Sequence, residues 1–341
     1  MNIKLGNISR MVLHYVGNKF REEGVSFSEK ELDFEEVSSE FVTMLSNSFD
    51  FKESCHFYFE SSLDLNPIYT FVKTIFTDKL RFLEQSIYIA KILYEKSSHP
   101  MTKGGELNVI YLTDCEIEGE LVDAIALLKT ENKQKAIQYQ RTDSGYEIKL
   151  SEVVNLTKVE KGCIIFNRHP DEGYLVFSVD KQVLGIQSRY WKDDFLHVQS
   201  DVTDYVQTKN LLQSCKCFVK ENYKNESKVE RAGLVSKIRA RLENTEHLNI
   251  KDFSEEMFSH SNLDKDFQSY LSSSSNEYAV HQSEITLENK LVKRKSSMLK
   301  TTLYLDANFE INILGGEEYM VHGFDEDAGM SYYKLYYIKE K

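Results

Sequence analysis

The chain has 341 residues, with 54 acidic against 42 basic side chains and a formal net charge of −12. Its composition, 41% hydrophobic and 12% aromatic, is that of a folded protein and excludes a disordered tail. No apolar run reaches the roughly 18 residues of a membrane-spanning helix, and Met1-Asn-Ile-Lys-Leu-Gly6 lacks the apolar core of a secretory signal. Five cysteines at irregular spacings fit reduced thiols in a bacterial-type cytosol.

In chain order, Ile8 to Val16 alternates in hydrophobicity and predicts a strand, followed by a turn at Gly17-Asn18-Lys19. A helix is expected from about Lys30 to Ser46, with Leu32, Val37, Phe41 and Leu45 on one side. This region is acidic, with nine Asp/Glu against two Lys between Glu29 and Glu60. Asn66-Pro67 opens a long helical stretch, proline fitting the first helical position, and Ser98-His99-Pro100 ends it. Past Gly104-Gly105 the period changes to two. Leu107–Thr113 and Leu121–Lys129 predict paired strands around an acidic turn, Asp114–Glu120. Tyr146–Leu150, Gly162–Asn167 and Tyr174–Val179 add three more, with hairpin chemistry at His169–Gly173, giving a central sheet of about five strands. Helices return over Asp194–Tyr223, Ser227–Asn244 and Ile250–His260, and Leu271–Asn276 reads as an exposed loop. Strands Thr302–Ile313 and Glu318–Val321, joined by Gly315-Gly316, and a last strand Tyr332–Ile338 close the chain. The expected fold class is α+β. N-terminal helices with a mainly antiparallel central sheet form a domain over 1–190, and a helical region ending in an antiparallel β-meander forms another over 191–341.

Three segments carry a family resemblance. Ile8-Ser-Arg-Met-Val-Leu-His14 is similar to a first strand, and Gly104–Tyr111 with Glu120–Leu128 is similar to a central hairpin. Leu299–Ile311 is similar to a C-terminal strand reached through a basic approach. Together they resemble the bacterial 37-kilodalton nucleoid-associated proteins of the NdpA type, of which this chain looks like a divergent member. The basic run that family shows near its central helix has no counterpart here, where Asp193-Asp194 and Asp201 to Asp204 stand instead. The resemblance implies association with the bacterial nucleoid, binding of double-stranded DNA, and in some members a topoisomerase or other nucleoid protein as partner. It implies no catalysis, no cofactor and no membrane. A homodimer is compatible with it.

The basic side chains are clustered. Glu288 to Lys300 holds five basic residues against one acidic. Lys290, Lys293 and Arg294 share a helical face by their spacing, with Lys295 adjacent and Lys300 near the same side. Leu287, Leu291 and Met298 form a neighbouring apolar edge, so the helix can dock by that edge and turn its charge outward. Lys220 to Arg241 holds seven basic residues against three acidic, with Lys237, Arg239 and Arg241 flanking the stripe of Leu234, Val235, Ile238 and Leu242. These eight cations are the candidate contacts for DNA phosphates, with sequence-independent, salt-dependent affinity. The plainer alternative is a pair of solvated faces whose long side chains snorkel over a core.

Enzyme signatures are absent from the sequence: no phosphate-binding glycine loop, no HExxH and no paired CxxC. Cys215-x-Cys217 falls in a predicted helix, and His14 and His197 stand in apolar settings that suit a satisfied core role. One constellation stays open. Asp123, Glu147 and Lys149 have the residue types of a metal-dependent nuclease, if two strands bring them together. A third reading is a protein adaptor that uses the acidic helix Glu29–Glu40 against a basic partner.

Overall fold

The structure, a computed structural model, describes residues 1–155, 157, 159–180, 190–273, 276, 278–295, 301–313 and 319–339. The chain divides into two compact units, Met1–Asp201 and Val202–Lys341.

The first unit contains, in chain order, β1 (Ile3–Lys4), β2 (Asn7–Val16), β3 (Val25–Ser26), α1 (Ser38–Ser48), β4 (Ser54–Phe57), α2 (Pro67–Thr77) and α3 (Phe82–Lys96). Then follow β5 (Gly105–Ile117), β6 (Glu120–Thr130), β7 (Gln134–Thr142), β8 (Gly145–Val153), β9 (Lys161–Phe166), β10 (Leu175–Asp180) and β11 (Val198–Ser200). Strands β7 and β8 pair only with each other, as a ribbon. The others form a nine-stranded sheet in the order β11-β4-β10-β9-β6-β5-β2-β3, with β1 added against the end of β5. All of its pairings are antiparallel.

Both faces of this sheet are covered, so its central strands are apolar on consecutive residues. Helices α2 and α3 lie over Val109, Tyr111, Ile125, Leu127 and Ile165. Helix α1 brings Met44 and Leu45 over Ile110, Leu112, Ala124, Ala126 and Ile164 on the other face. The fully buried Asn66 joins α2 to the sheet edge. Its Oδ1 accepts from the backbone N–H of Ile68 and Tyr69 at 3.0 and 3.1 Å, capping the helix ahead of Pro67. Its Nδ2 donates to the carbonyls of Leu196 and His197 at 2.9 and 3.2 Å.

Where β6 and β9 leave the core, Lys129 and Lys161 stand directly opposite each other in the ladder, both fully buried. Two opposed ammonium groups repel unless an anion lies between them. Glu131 supplies it, 3.1 Å from Lys129 Nζ and 3.0 Å from Lys161 Nζ, and the buried Asp180 carboxylate lies 3.9 Å from Lys161 Nζ. Lys129 also donates to the Lys103 carbonyl at 2.8 Å, and the Tyr190 hydroxyl lies 3.3 Å from both Lys129 Nζ and Glu131 Oε1. Burial lowers the pKa of Lys129 and raises that of Tyr190 well above the usual phenol range.

The second unit contains α4 (Asp204–Asn222), α5 (Lys228–Glu243), β12 (His247–Asn249), α6 (Ile250–Phe258), α7 (Asp264–Ser272), β13 (Glu284–Thr286) and α8 (Asn289–Lys295). Hairpins β14 (Thr301–Leu305)–β15 (Phe309–Ile313) and β16 (Met320–Asp325)–β17 (Met330–Leu335) complete it. Phe218, Phe258 and Phe267 form its aromatic centre, with Leu211, Ile238, Leu242 and Phe253 around them. Helix α5 begins with a capping box, Ser227 and Glu230 exchanging side-chain and backbone bonds.

The α+β class and the antiparallel central sheet are as the sequence predicts. The expected five-stranded sheet is larger, and Tyr146–Leu150 belongs to the separate ribbon. The acidic segment ahead of residue 35 is not helical. Helix α1 starts at Ser38, so Glu35 and Glu36 precede its N-terminus, where the helix dipole favours them. The expected helix from Asp194 is interrupted by His197 at φ 49° and by β11, and restarts at the Thr203 cap. Thr302–Ile313 is a hairpin, turning where Asp306 takes φ 52°. Tyr190–Leu196 is a π-helical turn whose Trp191 and Phe195 fill the first unit's core, so the contact boundary falls after Asp201 rather than at 190. Gly315, Gly316 and Glu318 lie outside the described residues.

Replacing Asn66 with Ala removes the cap and the amide donor of the buried Leu196 carbonyl, while the His197 carbonyl keeps the Tyr58 backbone N–H. A destabilisation of about 3 kcal/mol is expected in urea unfolding, with no change in the denaturant slope. Glu131→Gln removes the carboxylate shared by two facing ammonium groups and leaves Lys129 without its buried ion-pair partner, which is expected to cost about 3–5 kcal/mol, read by the same unfolding measurement.

Candidate nucleic-acid interface

Helix α8 sorts its residues by polarity. Leu291 and Val292 are buried, Lys290, Lys293 and Arg294 are exposed, and Lys295 is half-buried. The helix is hung on α4, where the Thr208 hydroxyl accepts from the Glu288 backbone N–H at 2.9 Å. Arg294 donates to the Tyr205 hydroxyl at 3.2 Å, which fixes its guanidinium at the start of α4. Leu287 and Val292 enter the same core as Ile238 and Leu242 of α5, and α8 packs against both α4 and α5. The two basic stretches therefore lie on neighbouring helices of one unit. Lys300 and Met298 lie outside the described residues.

The cations of α5 are differently placed. Lys237 is exposed and, among the described residues, has no ion-pair partner. Arg239 pairs with Glu243 one turn on at 2.8 Å, and Arg241 reaches Glu256 of α6 at 2.8 Å and bonds Thr245. Both arginines are half-buried and already neutralised within the fold. The outward charge of the site rests on α8 and Lys237. Sequence spacing alone finds the α8 face, but the Glu256 partner of Arg241 arrives from another helix and leaves no periodic signal.

The nuclease constellation is not assembled in this way. Asp123 accepts from Tyr111 Oη at 2.7 Å and from Lys79 Nζ at 2.8 Å, so its carboxylate is neutralised in place. Glu147 and Lys149 project from β8 in the separate ribbon. The ribbon springs from the far end of β6, about 23 Å along the strand from Asp123. No cluster of three His, Cys, Asp or Glu able to hold a metal occurs among the described residues. A cavity of about 660 Å³ lies at the ribbon's root, lined by Phe41, Met44 and Val159 with Glu106, Lys133 and Glu160. Several of its polar groups are used internally: Lys133 pairs with Glu106, and Glu160 accepts from the backbone N–H groups of Glu131 and Asn132 at 2.9 and 3.2 Å. No helix of the described residues is long and apolar enough to cross a membrane. Cys215 is buried in the second unit's core, and burial pushes its thiol pKa well up.

The fold and this face define a two-unit α+β protein that is acidic overall and displays a compact cationic helix surface. The chain belongs to a bacterial nucleoid-associated family: the profile described as nucleoid-associated protein YejK matches residues 12–330, nearly its whole length. Neither the curated proteins nor the solved structures give a match.

His14, within the first strand that carries part of the resemblance, serves the core. Its Nδ1 accepts from the Ser28 backbone N–H at 3.2 Å, so Nε2 carries the hydrogen toward Ser86 Oγ at 2.9 Å. Burial lowers its pKa from 6.5 to about 4. Between these values the unfolded chain binds a proton that the folded chain refuses, so stability falls as pH drops through that window. The loss contributed by His14 approaches about 3 kcal/mol near pH 4. Urea midpoints between about pH 7 and about pH 4 are expected to fall less steeply for His14→Gln than for the wild type.

Proposed function

We propose that the chain binds double-stranded DNA directly, without sequence preference and without catalysis, as a component of the bacterial nucleoid in the cytoplasm. The observation that carries this reading is the outward triad of Lys290, Lys293 and Arg294, set on a helix whose apolar side is locked into the core. Phosphate contacts of this kind need local cation density, and the net charge of −12 does not oppose it, because charges beyond a Debye length of about 10 Å are screened. Lys237 and Lys295, with Lys300, extend the contact. Arg239 and Arg241 contribute less, since each would have to exchange a carboxylate for a phosphate. No aromatic is interleaved with these lysines in the sequence, which favours duplex over stacked single strands. A topoisomerase or another nucleoid protein as partner is part of the same proposal.

The test is a titration of duplex DNA at two salt concentrations. Affinity is expected to fall steeply with salt. The variant Lys290→Glu/Lys293→Glu/Arg294→Glu is expected to bind at least tenfold more weakly and to lower the salt slope by roughly 3. Arg241→Glu is expected to change affinity by less than about threefold, its charge being held by Glu256. Unchanged binding by the triple variant overturns the assignment to α8. Absence of binding by the wild type at low salt shifts the reading to an adaptor, for which the exposed Glu35, Glu36 and Glu40 offer an acidic surface.

A further inference from the structure

The β7–β8 ribbon has two chemically distinct faces. Residues directly opposite in an antiparallel pair project to the same side. The pairs Gln138–Lys149, Gln140–Glu147 and Ala136–Ser151 make one face polar. The pairs Ile137–Leu150, Tyr139–Ile148 and Arg141–Tyr146 make the other apolar, with Lys135–Glu152 at its root. The polarity is that of a sheet with one buried side, yet the apolar side is open to water. Tyr139 is 69%, Ile148 71% and Tyr146 74% exposed. Two strands of nine residues are marginal by themselves in water, so a face of this kind calls for a cover.

We infer that this face is the interface between two copies of the chain, packed ribbon on ribbon about a two-fold axis running along the ribbon. The charges select this occupant. A two-fold along the ribbon lays β7 of one copy over β8 of the other, as aligned sheets pack. Ile137 then meets Leu150, Tyr139 meets Ile148, Lys135 meets Glu152, and Arg141 lies on the Tyr146 ring. Every group faces a chemical complement, and among the described residues Lys135, Arg141 and Glu152 make no ion pair within their own chain. A two-fold across the ribbon would instead set β7 over β7 and Lys135 against Arg141. A polyanion is a poor occupant, since Glu152 sits on the face and its centre is aliphatic and aromatic. The inference stands apart from DNA binding, which rests on the other unit.

The experiment is the mass of the full chain in solution by light scattering at tens of micromolar. The wild type is expected near twice 39.7 kDa. Ile148→Lys is expected to run as a folded monomer of that mass, with an unchanged circular dichroism spectrum, since the side chain it replaces is exposed. Lys135→Glu and Glu152→Lys each place like charges across the interface, and each alone is expected to weaken the dimer at least tenfold. Mixing these two variants restores both cross-copy pairs, while the like charges within each ribbon remain. Recovery of the dimer on mixing is therefore expected only from contact between copies. A monomeric wild type overturns the inference, as does a dimer indifferent to Ile148→Lys or a failure of the mixture to recover.

Discussion

The first unit depends on the buried carboxylate shared by two opposed lysines. Antiparallel register puts Lys129 directly against Lys161 at the ends of β6 and β9, both fully buried. Without Glu131 this register would set Lys129 against Lys161 with only Asp180 beside the second of them, which disfavours the ladder at this point. With it, the end of β6, the start of β9 and the π-helical turn carrying Tyr190 meet at one point. The ribbon leaves the sheet within a few residues of that point, so its direction is set by a junction that cannot relax. An arrangement of this kind adds little net stability over an apolar one but tolerates few alternatives, which is its structural use.

Charge is divided by place rather than averaged. The carboxylates ahead of α1 and the exposed Asp193 and Asp194 belong to the first unit, whereas the exposed Lys290, Lys293 and Arg294 of α8 and Lys237 belong to the second. Within the second unit, Arg239 and Arg241 stiffen α5 and its contact with α6 through local carboxylates. Residues of one sequence stretch thus serve different ends. Arg241 braces two helices, and Lys237, one turn away, faces solvent.

Much of this architecture is legible in the chain itself. The strands β2, β5, β6, β9 and β10 and the helices α5 and α6 follow from periodicity, caps and breakers, because burial on one or both sides imposes the pattern directly, whereas the one long helical stretch expected from Asn66 is broken into α2 and α3 at Asp78–Arg81. The α8 face is legible for the same reason. The short strands and several other elements are not, β4, β7 and α7 among them. β4 is only four residues long, β7 offers Ile137 and Tyr139 among glutamines, and α7 is hidden in a polar run ahead of the serines. The neutralised state of Asp123, by Lys79 and Tyr111 from separate elements, is a tertiary fact that no local spacing encodes. The same holds for Glu131, whose role appears only when the register opposes two lysines.

The strand order also bears on how the protein is made. β4, formed by residues 54–57, pairs with β10 and β11 and with no earlier strand. Its second neighbour is Val198–Ser200, so the nascent segment waits while some 140 further residues are translated, roughly 7–30 s at bacterial elongation rates. Until β10 emerges Cys55 and Phe57 have no sheet to enter, and until Leu196 and His197 emerge Asn66 lacks the carbonyls that its amide later binds. The first unit therefore closes late, but while residues of the second unit are still being translated. Its N-terminal third is exposed to holding chaperones and proteases until the last strand of the sheet has left the ribosome.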